Sequence, residues 1–133
     1  MRAEVADDIL RTYLHVRDGG GVDRIEAGQE FWPALAAGKL PHLDAGRLMS
    51  AFTFIGAWET WERHPAGEEL VMLLSGEVML TLEQDGGEHR VLLKSAGDYV
   101  LVPTGTWHTA SSHVESTLLF LTPGAGTEHR PVK

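Results

Sequence analysis

Three observations predict an all-β fold, an antiparallel sandwich or barrel. Turn signals recur at short intervals: Gly19-Gly20-Gly21, Ala45-Gly46, Pro65-Ala66-Gly67, Ser75-Gly76, Asp85-Gly86-Gly87, Ala96-Gly97-Asp98, Pro103-Thr104-Gly105 and Pro123-Gly124. Gly and Pro are the residues that turn a chain sharply between strands. Between these signals lie short runs rich in Val, Leu, Thr, Phe and Trp, at the roughly 8–12-residue spacing of antiparallel sheets. Finally, Asp85-Gly86 separates two such runs and is a strong signal for a tight hairpin.

Taken in order, the first elements are the least regular. Thr12–Arg17 and Val22–Glu26 flank the triple Gly as a hairpin would, although Ala6, Ile9, Leu10, Tyr13 and Leu14 also fit helical spacing. Glu30–Ala37 makes one or two helical turns, with Gly38 as a stop. Strands follow near 47–55, 57–63, 69–74, 77–83, 88–94, 99–102, 107–113 and 116–121. Residues 1–45 are therefore expected as a short helical and hairpin extension packed on one end or edge of a barrel, or exchanged with a second subunit. Residues 46–133 are expected to form the barrel itself.

The 133 residues suffice for a single core without covalent staples. Charged residues at 23% and hydrophobic ones at 43% are ordinary for a soluble globular chain. Zero Cys excludes disulfides, thiolate metal sites and a cysteine nucleophile together. The formal net charge is −8, from 19 acidic against 11 basic residues, and the basic ones are scattered. A nucleic-acid binder needs a basic face to displace counterions, and an anionic membrane surface would repel this chain. Neither nucleic acid nor membrane is an expected partner. Met1-Arg2-Ala3-Glu4 does not open an apolar leader, and no run approaches the roughly 20 apolar residues that span a bilayer. A cytoplasmic location is the expectation. There is no Gly-x-Ser-x-Gly elbow and no Walker-type loop, which removes serine-hydrolase and ATP-dependent chemistry.

What remains is a spaced set of metal-binding residue types. Gly56-x5-Glu62-x-His64-x4-Glu69-x6-Gly76 is followed by Gly97-x5-Pro103-x-Gly105-x2-His108. In these two stretches the chain resembles the cupin superfamily, in particular its small single-domain members. The resemblance is close from Gly56 to His108 and extends through the strand pattern over most of residues 46–123. Two positions depart from the family pattern: Glu62 stands where His is usual, and Ser112 where Asn is frequent. The resemblance implies a double-stranded β-helix, the jelly-roll barrel, with Glu62, His64, Glu69 and His108 holding one divalent ion.

Strand geometry agrees with that set. Side chains alternate between faces, so Glu62 and His64 point the same way. Pro65-Ala66-Gly67 turns the chain back, Glu69 reaches the same interior from the next strand, and His108 arrives just after the Pro103/Gly105 turn. Glu68 competes with Glu69, but Glu69 shares parity with Val71 and Leu73. Oxygen and imidazole donors without thiolate suit Mn, Fe, Ni, Zn or Co. Two carboxylates neutralise a dication and offset much of the cost of burying it.

The same parity turns Trp58 and Thr60 inward, with Phe52 and Phe54 on the neighbouring strand. Phe52, Trp58 and Thr60 are the candidate substrate contacts; the competing reading is that these aromatics simply fill the barrel. Trp61 and Trp107 have the opposite parity and are expected outside, on a packing or dimer face. His113 faces away from the ligands and His89 lies in solvent beside a hairpin. The tail around His129 and Arg130 either folds over the barrel mouth or is disordered.

The implied function is a metal-dependent enzyme acting on a small carbonyl, carboxylate or hydroxy compound, of dioxygenase, isomerase or lyase type. The alternative is a non-catalytic module that senses or stores a metal or small molecule. A metal-free polar core ranks last, because two buried carboxylates without a cation are costly. A homodimer is expected from the resemblance.

Overall fold

The computed structural model describes residues 3–133; Met1 and Arg2, the first two residues of the expected extension, lie outside the described residues. Strands β1 (Thr12–Val16) and β2 (Val22–Glu26) pair as the hairpin around the triple Gly. The competing helical spacing loses there. Helix α1 (Phe31–Ala36) ends where the Gly38 N–H bonds to Leu35 and the Lys39 N–H to Ala34, with Gly38 at φ +72°. A 3₁₀ turn (Pro41–Asp44) leads into β3 (Arg47–Ala57).

The remaining strands are β4 (Thr60–Arg63), β5 (Glu69–Ser75), β6 (Val78–Gln84), β7 (Gly87–Leu93), β8 (Tyr99–Val102), β9 (His108–Pro123) and β10 (Glu128–Pro131). Every pairing among the described residues is antiparallel, and the result is an all-β jelly-roll barrel. Asp85 (φ +51°) and Gly86 (φ +77°) make the tight turn between β6 and β7, both in the left-handed region that a two-residue hairpin requires.

The hub is β9. Its first part lies between β4 (Glu62 opposite His108) and β6 (Leu82 opposite His108). Its second part lies between β3 (Ser50 opposite Phe120) and β5 (Val71 opposite Phe120). Two separate strands near 107–113 and 116–121 are thus one strand, with its register against β3 shifted between Phe54 and Gly56. The hydroxyls of Ser112 and Ser116 bind the chain at that irregularity. Gly76 is required beside it: a Cβ there would lie 2.2 Å from Ser116 Oγ, and its φ is +86°.

Inward residues of β5, β6, β8 and β9 supply an aliphatic core: Val71, Leu73, Val78, Leu80, Leu82, Val102 and Leu118 are all at most 2% exposed. Each such side chain contributes about 1.5–3 kcal/mol by leaving water. Tyr13, Phe31, Leu43 and Leu48 form a second cluster where β1, α1 and the 3₁₀ turn meet β3.

The tail holds the largest difference from expectation. Residues 128–131 form β10 on the open edge of β4. Trp61 is consequently only 8% exposed, and Trp107 is half-buried. The Arg130 guanidinium stacks over both rings, at 5.2 and 4.5 Å from their centroids. The outward parity of both Trp residues is correct, but the tail covers the exposed pair expected there.

Candidate metal centre

One row of side chains crosses three strands. His129 on β10 lies opposite Glu62 on β4, and Glu62 lies opposite His108 on β9. Two residues past Glu62, His64 turns onto the same face, and the Gly105 N–H donates to its carbonyl at 3.0 Å. That bond ties the two motif stretches together. Glu69, at the start of β5, completes the group from the facing side.

Ligand atoms of Glu62, His64 and His108 all lie within 4.8 Å of one another. Glu69 sits against both rings, with Oε1 at 2.9 Å from His108 Nε2 and Oε2 at 3.2 Å from His64 Nε2. These contacts are short, yet the ring nitrogens and Glu69 Oε1 have no aligned hydrogen-bond partner. His64, Glu69 and His108 are respectively 4%, 3% and 0% exposed. Buried polar atoms are almost always paired in folded proteins; these three, which face one another at short range, make the cluster a candidate cation site, while a fourth buried atom without a partner, the Trp58 Nε1–H donor, is no ligand. The donor set fits a divalent ion: two imidazoles, two carboxylates and no thiolate.

The far sides of the ligands are satisfied. His108 Nδ1 donates to the Thr106 carbonyl at 3.1 Å; a carbonyl only accepts, so the neutral ring carries its lone pair on Nε2. His64 Nδ1 pairs with Thr127 Oγ1 at 2.9 Å, and Thr122 Oγ1 donates to Glu69 Oε2 at 2.6 Å. Burial pushes the Glu69 carboxyl up, but the His108 and His64 rings outweigh it and hold the group at about 2. Burial pulls the His108 imidazole down, and Glu69 beside it more than reverses the effect. The Glu62 carboxylate, 3.7 Å away, raises His129.

The group opens into a cavity of about 790 Å³. Phe52 and Trp58 line it as expected from parity; Thr60 does not. Thr60 lies at the start of β4, one two-residue step beyond Glu62 and opposite Pro131, where its carbonyl accepts from Thr109 Oγ1 at 3.0 Å. His113 and His89 are exposed, in accord with their reading.

Sequence reasoning missed Thr122, Thr127, Phe120 and Trp32. Phe120 and Thr122 share even parity with His108 along β9, so carrying the alternation through the Ser112–Ser116 irregularity would have found them. Thr127 sits in a polar tail and gave no signal.

The family profile described as "Cupin domain" matches residues 55–124. The uncharacterized protein YdbB of Bacillus subtilis is 32% identical over 66 residues, which cover 50% of this chain and 54% of YdbB. The chain thus spans about half the length of this curated relative. Among solved structures, a mutant of Bacillus subtilis oxalate decarboxylase superposes with a TM-score of 0.54 at 20% identity, over 65% of this chain and 24% of that one. An oxalate oxidase superposes with a TM-score of 0.51 at 18% identity, over 61% and 44%. At these identities the likeness is one of fold.

Proposed function

This chain belongs to the cupin family, and from its site we propose that it is a metal-dependent enzyme acting on a small organic compound with a carbonyl, carboxylate or hydroxyl oxygen. The observation that carries the reading is the convergence of buried His64 Nε2, His108 Nε2 and Glu69 Oε1, in short contact but without aligned hydrogen bonds, beside Glu62. Glu62, His64, Glu69 and His108 would hold one divalent transition ion, which supplies Lewis-acid polarisation of a substrate oxygen or, if iron, dioxygen chemistry. Which of Mn, Fe, Ni, Zn or Co is native is a matter for the assay below.

The chain's own residues do the rest. Thr106 and Thr127 fix the two rings, and Thr122 orients Glu69, so three ligands are rigid before anything binds. Glu62 differs, with a side chain 29% exposed at the mouth and His129 Nε2 3.7 Å from its Oε1. Released from the ion, Glu62 would take a proton from a substrate carbon or oxygen, with His129 beside it as its ion-pair partner.

Elemental analysis of protein purified without added metal, alongside Glu62→Ala and His108→Ala, tests the reading. Stoichiometric metal in the wild type and its loss in His108→Ala is the expected result. Wild type without metal, melting at the same temperature as both variants, overturns it. A second reading, a non-catalytic binding module, draws support from β10, which extends the wall beside Glu62 and brings Thr127 and His129 into the cavity lining. Water-proton relaxation of the manganese-loaded protein separates the two. Enhanced relaxation marks a coordination position open to exchange, as an enzyme needs; none favours the module.

The homodimer reading needs a different surface, since Trp61 is covered. Leu14, Met49, Leu121, Leu70 and Leu101 lie in direct register across β1, β3, β9, β5 and β8. Leu119, Met72 and Tyr99 form the next row, and Tyr99 and Leu101 are 59% and 54% exposed. This uncharged stripe on a chain of net charge −8 is where a second copy meets no like-charge repulsion. Sedimentation of a Leu101→Glu variant as a monomer, against a wild-type dimer, checks it.

A further inference from the structure

We infer that the ligand of this cavity is an uncharged ring compound presenting one or two oxygens on one edge, a phenol or catechol rather than a small dicarboxylate. The inference rests on the metal reading above and adds the shape and charge of what binds there. Its basis is the contrast between the polar and apolar linings of the cavity. The polar lining is Glu62, His64, Glu69, Thr122, Thr127 and His129, with Asp44 and Ser50; the apolar wall is Trp32, Leu35, Leu48, Phe52, Trp58 and Phe120.

That wall is more than core filling. The enclosed interior of the barrel is mostly Val and Leu; Phe120 closes it toward the cavity, Phe52 and Trp58 pack against it there, and Trp32 joins them from α1, so four aromatic rings gather in the cavity lining. Phe52 stacks on Phe120 with centroids 5.0 Å apart and planes 21° apart, and Trp58 and Trp32 flank Phe52 at 6.0 and 6.4 Å. Phe52 and Trp58 stay partly exposed and Trp32, on α1, is 41% exposed. A planar guest covers these faces by the offset and edge-on contacts that aromatic pairs prefer. The cavity volume of about 790 Å³ lies within the roughly 300–1,000 Å³ of small-molecule sites.

Charge decides against a dianion. Among the described residues that line the cavity there is no Lys or Arg; His129, which the Glu62 carboxylate favours in its charged form, is paired with that carboxylate, while Asp44, Glu62 and Glu69 bring three carboxylates. The two nearest guanidinium groups are committed to the outer face: Arg63 to Glu128 and Trp107, Arg130 to Glu83 and both Trp rings. A dication balanced by Glu62 and Glu69 leaves no surplus positive charge. A second carboxylate reaching the aromatic wall would meet ring faces, which carry the negative side of the ring quadrupole, and would find no cationic partner there, only the single unpaired Trp58 Nε1–H donor. An oxygen-bearing ring edge needs none.

The test is a tryptophan-fluorescence titration of the zinc-loaded protein with 2-naphthol, catechol and malonate, with zinc content measured on every sample. The two ring compounds are expected to bind at least roughly tenfold more tightly than malonate. Phe52→Leu and Trp32→Ala are each expected to weaken 2-naphthol by roughly 3- to 10-fold at unchanged zinc content. Trp32 lies at the rim on a short helix, so its removal spares the barrel even if Phe52→Leu disturbs it. Malonate binding as tightly as the rings, or both variants binding 2-naphthol like the wild type, overturns the inference. Full zinc without ring binding sinks the ring inference alone. Protein that takes up no zinc, yet binds 2-naphthol in a Phe52-dependent way, sinks the metal centre instead.

Discussion

Two buried polar clusters sit four residues apart on the same strand, and they are built on opposite rules. Around Ser112 every group is answered. Ser112 Oγ donates to the Glu77 carbonyl at 2.7 Å and accepts the Val114 N–H at 3.2 Å, while Ser116 Oγ accepts the Glu77 N–H at 3.0 Å and donates to the Val114 carbonyl at 2.9 Å. Around His108 the outward sides of the ligands are answered and the inward ones are not. The first cluster is closed upon itself and pins a strand irregularity. The second, with equally buried groups, directs its lone pairs at one point. Burial alone therefore does not separate the two clusters; the pairing of their polar atoms does.

The largest break in that contrast comes from Glu69→Gln. It removes one of two charges that would face the proposed dication while keeping the side chain's shape. The loss of metal affinity, read by competition with a chelator, should exceed the roughly 10- to 100-fold that removal of a merely orienting partner costs. Thr127→Val is such a removal: it frees His64 Nδ1 without touching a ligand, and should weaken metal binding by about 10- to 100-fold with little change in the metal-free melting temperature. Equal metal affinity in Thr127→Val and wild type would show that the tail does not position His64.

Ser112→Ala sharpens the comparison from the other side. It leaves the Val114 N–H and the Glu77 carbonyl short of a partner, a loss of about 1–3 kcal/mol in urea unfolding, with metal stoichiometry unchanged. A variant that unfolds like the wild type but loses metal would invert the assignment of the two clusters.

The smallest effect is expected at Asp98, in the motif turn far from both clusters. The backbone N–H groups of Ser95 and Lys94 hold its carboxyl below the ordinary range, through bonds of 2.9 and 3.0 Å. A lowered folded-state value means that the stabilisation is present above the unfolded carboxylate value, near 3.9, and is lost as pH falls through the folded one. Asp98→Asn should therefore melt slightly below the wild type at pH 7, and the gap should close as pH drops below about 4. A gap that widens in acid would contradict this account of the turn.

Much of this was legible in the residues. The strands from β3 to β8, the helical turn before Gly38 and the Asp85-Gly86 hairpin all follow from alternation and turn chemistry, which act within a few residues. Glu62, His64, Glu69 and His108 were likewise nameable, because strand parity fixes faces and the motif fixes spacing. Thr60 shows the limit of parity, which gives the side of a strand but not where along it a cavity ends. Thr127 and the covered Trp61 show another, since a polar tail carries no periodicity to announce that it will pair with β4.

The sequence by itself determined the alternation, the turns and the donor atoms, all properties of neighbouring residues in one chain. Only the tertiary structure decided which of those donors are left without partners, that β10 extends the wall beside the site, and that the cavity combines aromatic rings with no Lys or Arg. Those facts depend on which distant segments pack together, and that is set by the balance of burial over the whole barrel rather than by any local pattern.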